Sequence, residues 1–322
     1  MGRCIIFGGS GYIGTMLARH FSASGKFDEI VLADVRQPAG ALPERCRFIA
    51  HDVRKPVAGE LATLQAEWIF NFAAVHREPG HAAHEYYDTN LHGARYVCEF
   101  AAASGCRNLY FTSSIASYGP TTGPTDEDCP NYPKTPYGIT KHAAELIHEV
   151  WLRSAAERRL IVCRPGVIYG PGDPGNILRM IRAVKKGRFF FPGDAGIRKS
   201  YGYIYGLLES IDFMMARSEP HLIYNYVERE TEPLRELVRL SGEAVGKKGS
   251  VTRLPLTALV LAAHVVQKLT GGKSPIHPVR VRKAATPTHI VPKRLTQLGF
   301  SFRYDFASSL RHWKEIAPED FA

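Results

Sequence analysis

The sequence predicts an α/β protein built on a doubly wound parallel sheet, with a smaller C-terminal α/β lobe. Two observations carry that expectation. Short, continuously apolar runs alternate with longer helical patterns, and a glycine-rich turn, GGSGYIG at 8–14, joins the first run to the first helix. Runs that are apolar on both faces need cover on both sides, which parallel strands with crossover helices supply. In chain order the strands are expected at Arg3–Phe7, Glu29–Ala33, Arg47–Ala50, Trp68–Phe72, Asn108–Thr112 and Leu160–Cys163. Each is followed by turn residues or by an amphipathic helical pattern.

The glycine turn satisfies GxGxxG through Gly9, Gly11 and Gly14, and GxxGxxG through Gly8, Gly11 and Gly14. Placed between a strand and a helix, such glycines allow a tight turn and close approach of backbone amides to a pyrophosphate. The helix N-terminus adds positive partial charge. Tyr12 and Ile13 belong to the same loop. The second strand ends in VLADVR, so Asp34 stands 20 residues after Gly14, where a carboxylate accepts from both adenosine ribose hydroxyls. That favours NAD over NADP, although Arg36 offsets part of the charge. HDVR places Asp52 and Val53 after the third strand, and NFAAVH places Ala73 and Ala74 after the fourth. Strand C-termini are where this architecture binds ligands.

TPYGITKHAAELI sets Tyr137 and Lys141 one helical turn apart, with Pro136 suited to the first turn. A phenol titrating near ~10 is a poor base at neutral pH, but a nearby ammonium favours its phenolate. The spacing alone arises easily by chance. FTSSIASYG, closing the fifth strand 23 residues upstream, brings Ser113 and Ser114 to the same sheet edge. A serine hydroxyl there can hold a substrate oxygen during hydride transfer.

After Arg164 glycine and proline crowd positions 165–175 and 192–196. Residues 1–165 are read as the dinucleotide-binding unit and 166–322 as mainly a substrate-binding lobe, with LIYNYV (222–227) returning to the main sheet. The tail LGFSFRYDFASSLRHW reads as a strand-like turn followed by a helix. The longest apolar stretch, Leu254 to Val266, is broken by Pro255, Thr257 and His264. It is shorter than the ~20 residues of a bilayer span and reads as a buried helix. The 322 residues carry a formal net charge of +10, which suits nucleic acid or, equally, a diphosphate ligand, but lysine and arginine are dispersed along the chain, which favours a solvated basic surface over a nucleic-acid stripe. Six cysteines without a CxxC pair read as reduced thiols of a cytoplasmic protein, with no metal site. The glycine loop begins too early to leave room for a secretory segment.

Taken together, GGSGYIG, Asp34, NFAAVH, DTNLHGA, FTSSIASYG, TDED, YGITK and CRPGVIYGPG resemble the extended short-chain dehydrogenase/reductase family, its nucleotide-sugar epimerases and dehydratases in particular. The resemblance implies a Rossmann fold, bound NAD, a homodimer, and a Ser114, Tyr137, Lys141 triad, with Asn90 among the cofactor-side residues. Asn71 stands where the family usually has histidine, and YIYGLLES lacks the usual aspartate. Dehydratases of the family carry acidic residues after the serine, where this chain has Ile115 and Ala116, and relatives of fucose synthase carry a cysteine and a histidine where it has Ile115 and Gly172. The resemblance therefore implies 4-epimerisation of a UDP-hexose-type substrate through a transient 4-keto sugar. Alternatives are a reductase of a keto sugar or of an apolar 3β-hydroxysteroid-like ketone, and a cofactor-sensing or RNA-binding protein on the same fold. Residues expected to hold the diphosphate are Asn176, Arg198 with Lys199, and a C-terminal arginine, Arg280 or Arg282.

Overall fold

The structure is a computed structural model that describes residues 2–121, 123–173, 175–247, 252–272, 274 and 276–322. Its strands, in chain order, are β1 (Arg3–Phe7), β2 (Glu29–Asp34), β3 (Cys46–Ala50), β4 (Trp68–Asn71), β5 (Asn108–Thr112), β6 (Arg159–Pro165), β7 (Val167–Tyr169), β8 (Phe190–Pro192), β9 (Tyr201–Tyr203), β10 (His221–Tyr226) and β11 (Thr252–Leu254). The helices are α1 (Tyr12–Ser24), α2 (Gly59–Ala62), α3 (Ala83–Ala103), α4 (Pro136–Arg153), α5 (Asn176–Lys185), α6 (Ile204–Met215), α7 (Leu234–Ala244), α8 (Leu256–Leu269), α9 (Pro278–Ala285), α10 (Lys293–Gln297) and α11 (Phe306–Ile316).

The predicted doubly wound parallel sheet is present, with seven strands in the order β10-β6-β5-β4-β1-β2-β3. The chain runs outward from β1 through β2 to β3, then crosses back to β4 and builds the other half. Strand order reverses between β1 and β4, so a crevice opens at their C-terminal ends. Continuous apolar runs became strands buried on both faces: β4 is buried throughout, and β6 is buried from Leu160 to Pro165. Leu17, Ala18 and Phe21 of α1 seal one face, where the Phe21 ring lies 5.4 Å from that of Phe70. Val97, Ala101 and Ala144, from α3 and α4, join the core on the other face.

Beyond β6 the chain alternates between the main sheet and two small parallel pairs, β7 with β9 and β8 with β11. Strand β10 lies parallel to β6 at the sheet's edge. The tail runs as expected, a turn over 298–305 without strand pairing and then α11, which the Asp305 side chain caps at the Ser308 amide. One sequence expectation fails in this half. Helix α8, expected to be buried, has Ala263 as its buried residue, while Leu261, Val265 and Leu269 are exposed. Local hydropathy reports apolar content but not whether a neighbouring element covers it. All six cysteines are free.

Candidate active site

The glycine loop is a consequence of steric necessity. Gly8 has φ +76°, and a Cβ there would stand 2.6 Å from the Ala73 nitrogen at the end of β4. The loop therefore lies against the Ala73–Ala74 turn across the switch point. Gly11 precedes α1 with no side chain capping the helix, and Gly14 packs on the carbonyl of Gly8. Two buried oxygens in the loop, Ser10 Oγ and Tyr12 Oη, have no hydrogen-bond partner in the structure. A helix N-terminus without a side-chain cap, a position where a side chain is excluded, and the orphaned Ser10 hydroxyl fit a diphosphate seated there.

Asp34 ends β2 with Oδ2 accepting from the Ser10 amide at 3.1 Å and Oδ1 from the Arg36 amide at 3.2 Å. It is therefore tied to the glycine loop itself. Asp52 is held by the Arg54 guanidinium, Nη2 to Oδ2 2.7 Å, and those hydrogen bonds keep its carboxyl below the usual range. Val53 is buried against Gly93 of α3. Asn90 turns out to be a brace. Its Oδ1 accepts from the Val75 amide at 2.8 Å while Nδ2 donates to the Val75 carbonyl and to Thr140 Oγ1, at 3.2 and 2.9 Å. It thus fastens the loop after β4 to the helix carrying Tyr137 and Lys141.

Ser114 follows β5 and begins a short 3-10 turn, Ile115–Tyr118, its Oγ accepting from the Ala116 amide at 3.1 Å. Helix α4 starts against that turn, with Pro136 in its first turn and Thr135 Oγ1 accepting from the Gly138 amide. A Cβ on Gly138 would fall 2.4 Å from the Ala116 carbonyl, so only glycine allows this approach. The approach brings Tyr137 to Ser114. Burial pushes the Tyr137 phenol up to about 12, the hydrogen bond with Ser114 pulls the other way, and Glu78 raises it further. Burial takes Lys141 down to about 7 against the raising effect of Glu145. The sequence expectation of a phenol lowered by an ammonium is not what the chain alone sets up, because desolvation disfavours both charged forms. Lys141 sits with its Nζ 4.3 Å from the centre of the Phe111 ring.

Beneath these residues lies a buried polar network that sequence reasoning missed. Arg164 of β6 donates to both oxygens of Glu145, Nε to Oε1 at 2.9 Å and Nη2 to Oε2 at 2.7 Å, and to the Tyr118 hydroxyl at 2.9 Å. Ser113 donates to Glu145, and Tyr118 donates to Asn225 of β10 at 2.9 Å. Burial would raise the Glu145 carboxyl, but the nearby His142 ring and the hydrogen bonds from Arg164 and Ser113 together hold it at about 2. The signal was an arginine inside the apolar run LIVCRP and a glutamate one turn beyond Lys141. Asn71 Nδ2 donates to His148 Nε2 at 3.2 Å, while its own buried Oδ1 has no partner. Glu78 accepts from the Tyr137 amide at 3.3 Å and pairs with Lys283 of α9.

The expected diphosphate residues do not form one cluster of open donors. Lys199 donates to the Lys283 carbonyl at 2.6 Å and to that of Thr286, closing the C-terminal end of α9. Arg198 donates to the Thr231 carbonyl, and Asn176 accepts from Arg179 at 2.9 Å. Arg280 donates to the Pro79 carbonyl at 3.4 Å, beside the Glu78 that contacts Tyr137.

Residues 4–226 match the family model described as the NAD dependent epimerase/dehydratase family. The chain is 28% identical over 311 residues to the N-acetyl-alpha-D-glucosaminyl-diphospho-ditrans,octacis-undecaprenol 4-epimerase of Escherichia coli O157:H7, covering 95% of this chain and 92% of that one. Its fold is similar to that of UDP-glucuronic acid 4-epimerase from Bacillus cereus solved with NAD, with TM-score 0.77 and 17% identity over 99% of this chain and all of the other. A human epimerase family protein solved with NADPH superposes comparably, TM-score 0.76 and 19% identity, covering 97% and 99%. With the match running from β1 through β10, across the glycine loop, Ser114, Tyr137 and Lys141, the chain belongs to the NAD-dependent epimerase/dehydratase family.

Proposed function

We propose that this protein is an NAD-dependent 4-epimerase of a hexose joined to a diphosphate. The observation that carries the reading is the contact of Tyr137 with Ser114 at the C-terminal end of β5, with Lys141 one helical turn further along α4 and with Ile115 and Ala116 following the serine. Without a carboxylate at those two positions, no side chain after the serine is placed to transfer the second proton that elimination requires. Alcohol and ketone exchange is what remains.

Gly8, Gly11, Tyr12, Ile13 and Gly14 would hold the cofactor diphosphate, Asp34 the adenosine ribose, and Asp52, Val53, Ala73 and Ala74 the flanks. Asp34 disfavours a 2′-phosphate by charge. NAD, when bound, supplies the hydride acceptor and a positively charged ring. Ser114 holds the sugar oxygen by hydrogen bond. Tyr137, as the phenolate that the positive charge of the bound ring would favour, would take the hydroxyl proton as the C–H hydride departs, leaving a 4-keto sugar. After the keto sugar turns its other face, the hydride returns and Tyr137 gives the proton back, so no net oxidation results. Lys141, already near neutrality, switches charge at low cost as the local field changes. Asn90 acts through Val75 and Thr140 as a positioning residue. Arg280, beside the Pro79 and Glu78 loop, is the best placed of the diphosphate residues.

The diphosphate carrier is either a nucleotide, as the sequence suggests, or a polyprenol, the carrier named for the Escherichia coli relative. Purified protein incubated with UDP-hexoses, UDP-N-acetylhexosamines and polyprenyl-diphospho-N-acetylhexosamine distinguishes them by which C4 epimer forms. Isomer formation without accumulating NADH is expected, and Tyr137→Phe should lower it by roughly 10²–10⁴-fold. Undiminished turnover in that variant refutes the assignment, and stoichiometric NADH with no isomer favours the dehydrogenase alternative.

A further inference from the structure

Helix α8 contradicts the economy of the rest of the molecule. Ala258, Leu261, Ala262, Val265 and Leu269 fall at i, i+3, i+4, i+7 and i+11, one stripe of a helix, and all five are exposed. Leu261, Val265 and Leu269 are 66, 50 and 81% exposed. Ile276 and Val279, in the segment that leads into and begins α9, extend the apolar exposure. Isolated exposed leucines are ordinary, but a continuous ridge of them is not.

Charge makes the second observation. Residues 244–304 contain 11 of the 41 lysines and arginines and no aspartate or glutamate. The other 261 residues carry 30 basic against all 31 acidic side chains, a net of −1, so the whole positive balance of the protein resides in this one segment. The sequence expectation of dispersed charge overlooked where the acids are missing. Arg253, Lys268, Arg280, Arg282 and Lys283 flank the ridge and are all exposed.

We propose that α8 and α9 form a peripheral docking surface for an anionic phospholipid bilayer, with the α8 ridge lying in the headgroup and acyl boundary and the basic flanks against lipid phosphates. An apolar ridge bordered by a cation-rich flank, in which Lys283 pairs with Glu78, is the pattern of an interfacial helix. Among the described residues no helix is long and apolar enough to cross a membrane, so the contact is one of lying on the surface. A second copy of the chain is disfavoured because two such segments repel. Nucleic acid would use the cations but gain nothing from Leu261, Val265 and Leu269. Because Lys283 pairs with Glu78, which accepts from the Tyr137 amide, the docking surface adjoins the candidate active site. The inference does not depend on which reaction that site performs.

The test is co-sedimentation of the full chain with phosphatidylcholine vesicles with and without phosphatidylglycerol. Binding to the anionic vesicles should exceed binding to pure phosphatidylcholine by at least about tenfold. The triple variant Leu261→Ser, Val265→Ser, Leu269→Ser keeps every charge and should lose at least about tenfold of that binding, with an unchanged melting temperature. Wild-type protein remaining in the supernatant with anionic vesicles overturns the proposal. So does equal binding by the triple variant, and so does RNA binding that outcompetes the vesicles regardless of the ridge.

Discussion

Replacing Arg164 with methionine removes the cation that neutralises Glu145 in the floor of the site. Arg164 is 4% exposed and Glu145 1%, and two hydrogen bonds of 2.9 and 2.7 Å join them. In the variant the carboxylate keeps Ser113 and a His142 nitrogen 3.6 Å away, too little for a charge in that environment. Breaking one side of a buried pair costs about 3–5 kcal/mol, because the remaining charge is uncompensated. For a chain of this size that corresponds to a fall in melting temperature of roughly 5–10 °C. The pH dependence has a definite sign. Glu145 titrates at about 2 instead of 4.5, so its contribution is present above 4.5 and is lost as pH falls toward 2. Without Arg164 the carboxyl rises and the loss moves to higher pH. Adding Glu145→Gln to Arg164→Met should recover part of the stability, a coupling of about 1–3 kcal/mol in urea unfolding. If each single variant costs under about 1 kcal/mol and the two are additive, the network is not the support described here.

Three further outcomes follow from the geometry. Gly8→Ala places a methyl 2.6 Å from the Ala73 nitrogen in a backbone conformation with φ +76°, so NAD affinity measured by calorimetry should drop by at least about tenfold while wild-type secondary structure persists. Glu228 is buried and its carboxyl is pushed up to about 8 by burial, against a hydrogen bond from Tyr169 that lowers it. Its folded form prefers the proton, so it costs stability progressively as pH rises from 4.5 to 8, and Glu228→Gln should gain on wild type by roughly 2–4 kcal/mol between pH 5 and 9 in denaturant titrations. Equal pH slopes for the two proteins exclude this. The homodimer implied by the family resemblance would pair the faces of α3 and α4 that expose Tyr87, Leu146 and Val150. Val150→Lys should shift the light-scattering mass toward the monomer, and a wild-type mass of one chain at micromolar concentration ends that expectation.

The sequence by itself determined the strands, the winding of the sheet and the position of the glycine loop, since these follow from hydrophobic period and from residues with special backbone freedom. It also brought Ser114, Tyr137 and Lys141 to notice, because strand-end and helix spacings are local. Three matters were decided only by tertiary structure. Asn90 became a brace once its amide met Val75 and Thr140, partners 15 and 50 residues away. Lys199 became a cap for α9 because chain folding delivered the carbonyls of Lys283 and Thr286 to it. Helix α8 kept its apolar face exposed because none of the described elements packs over it, a fact that composition does not contain. Desolvation, which moves Tyr137 up and Lys141 down, likewise depends on everything packed around the pair, and so lies beyond the reach of a motif.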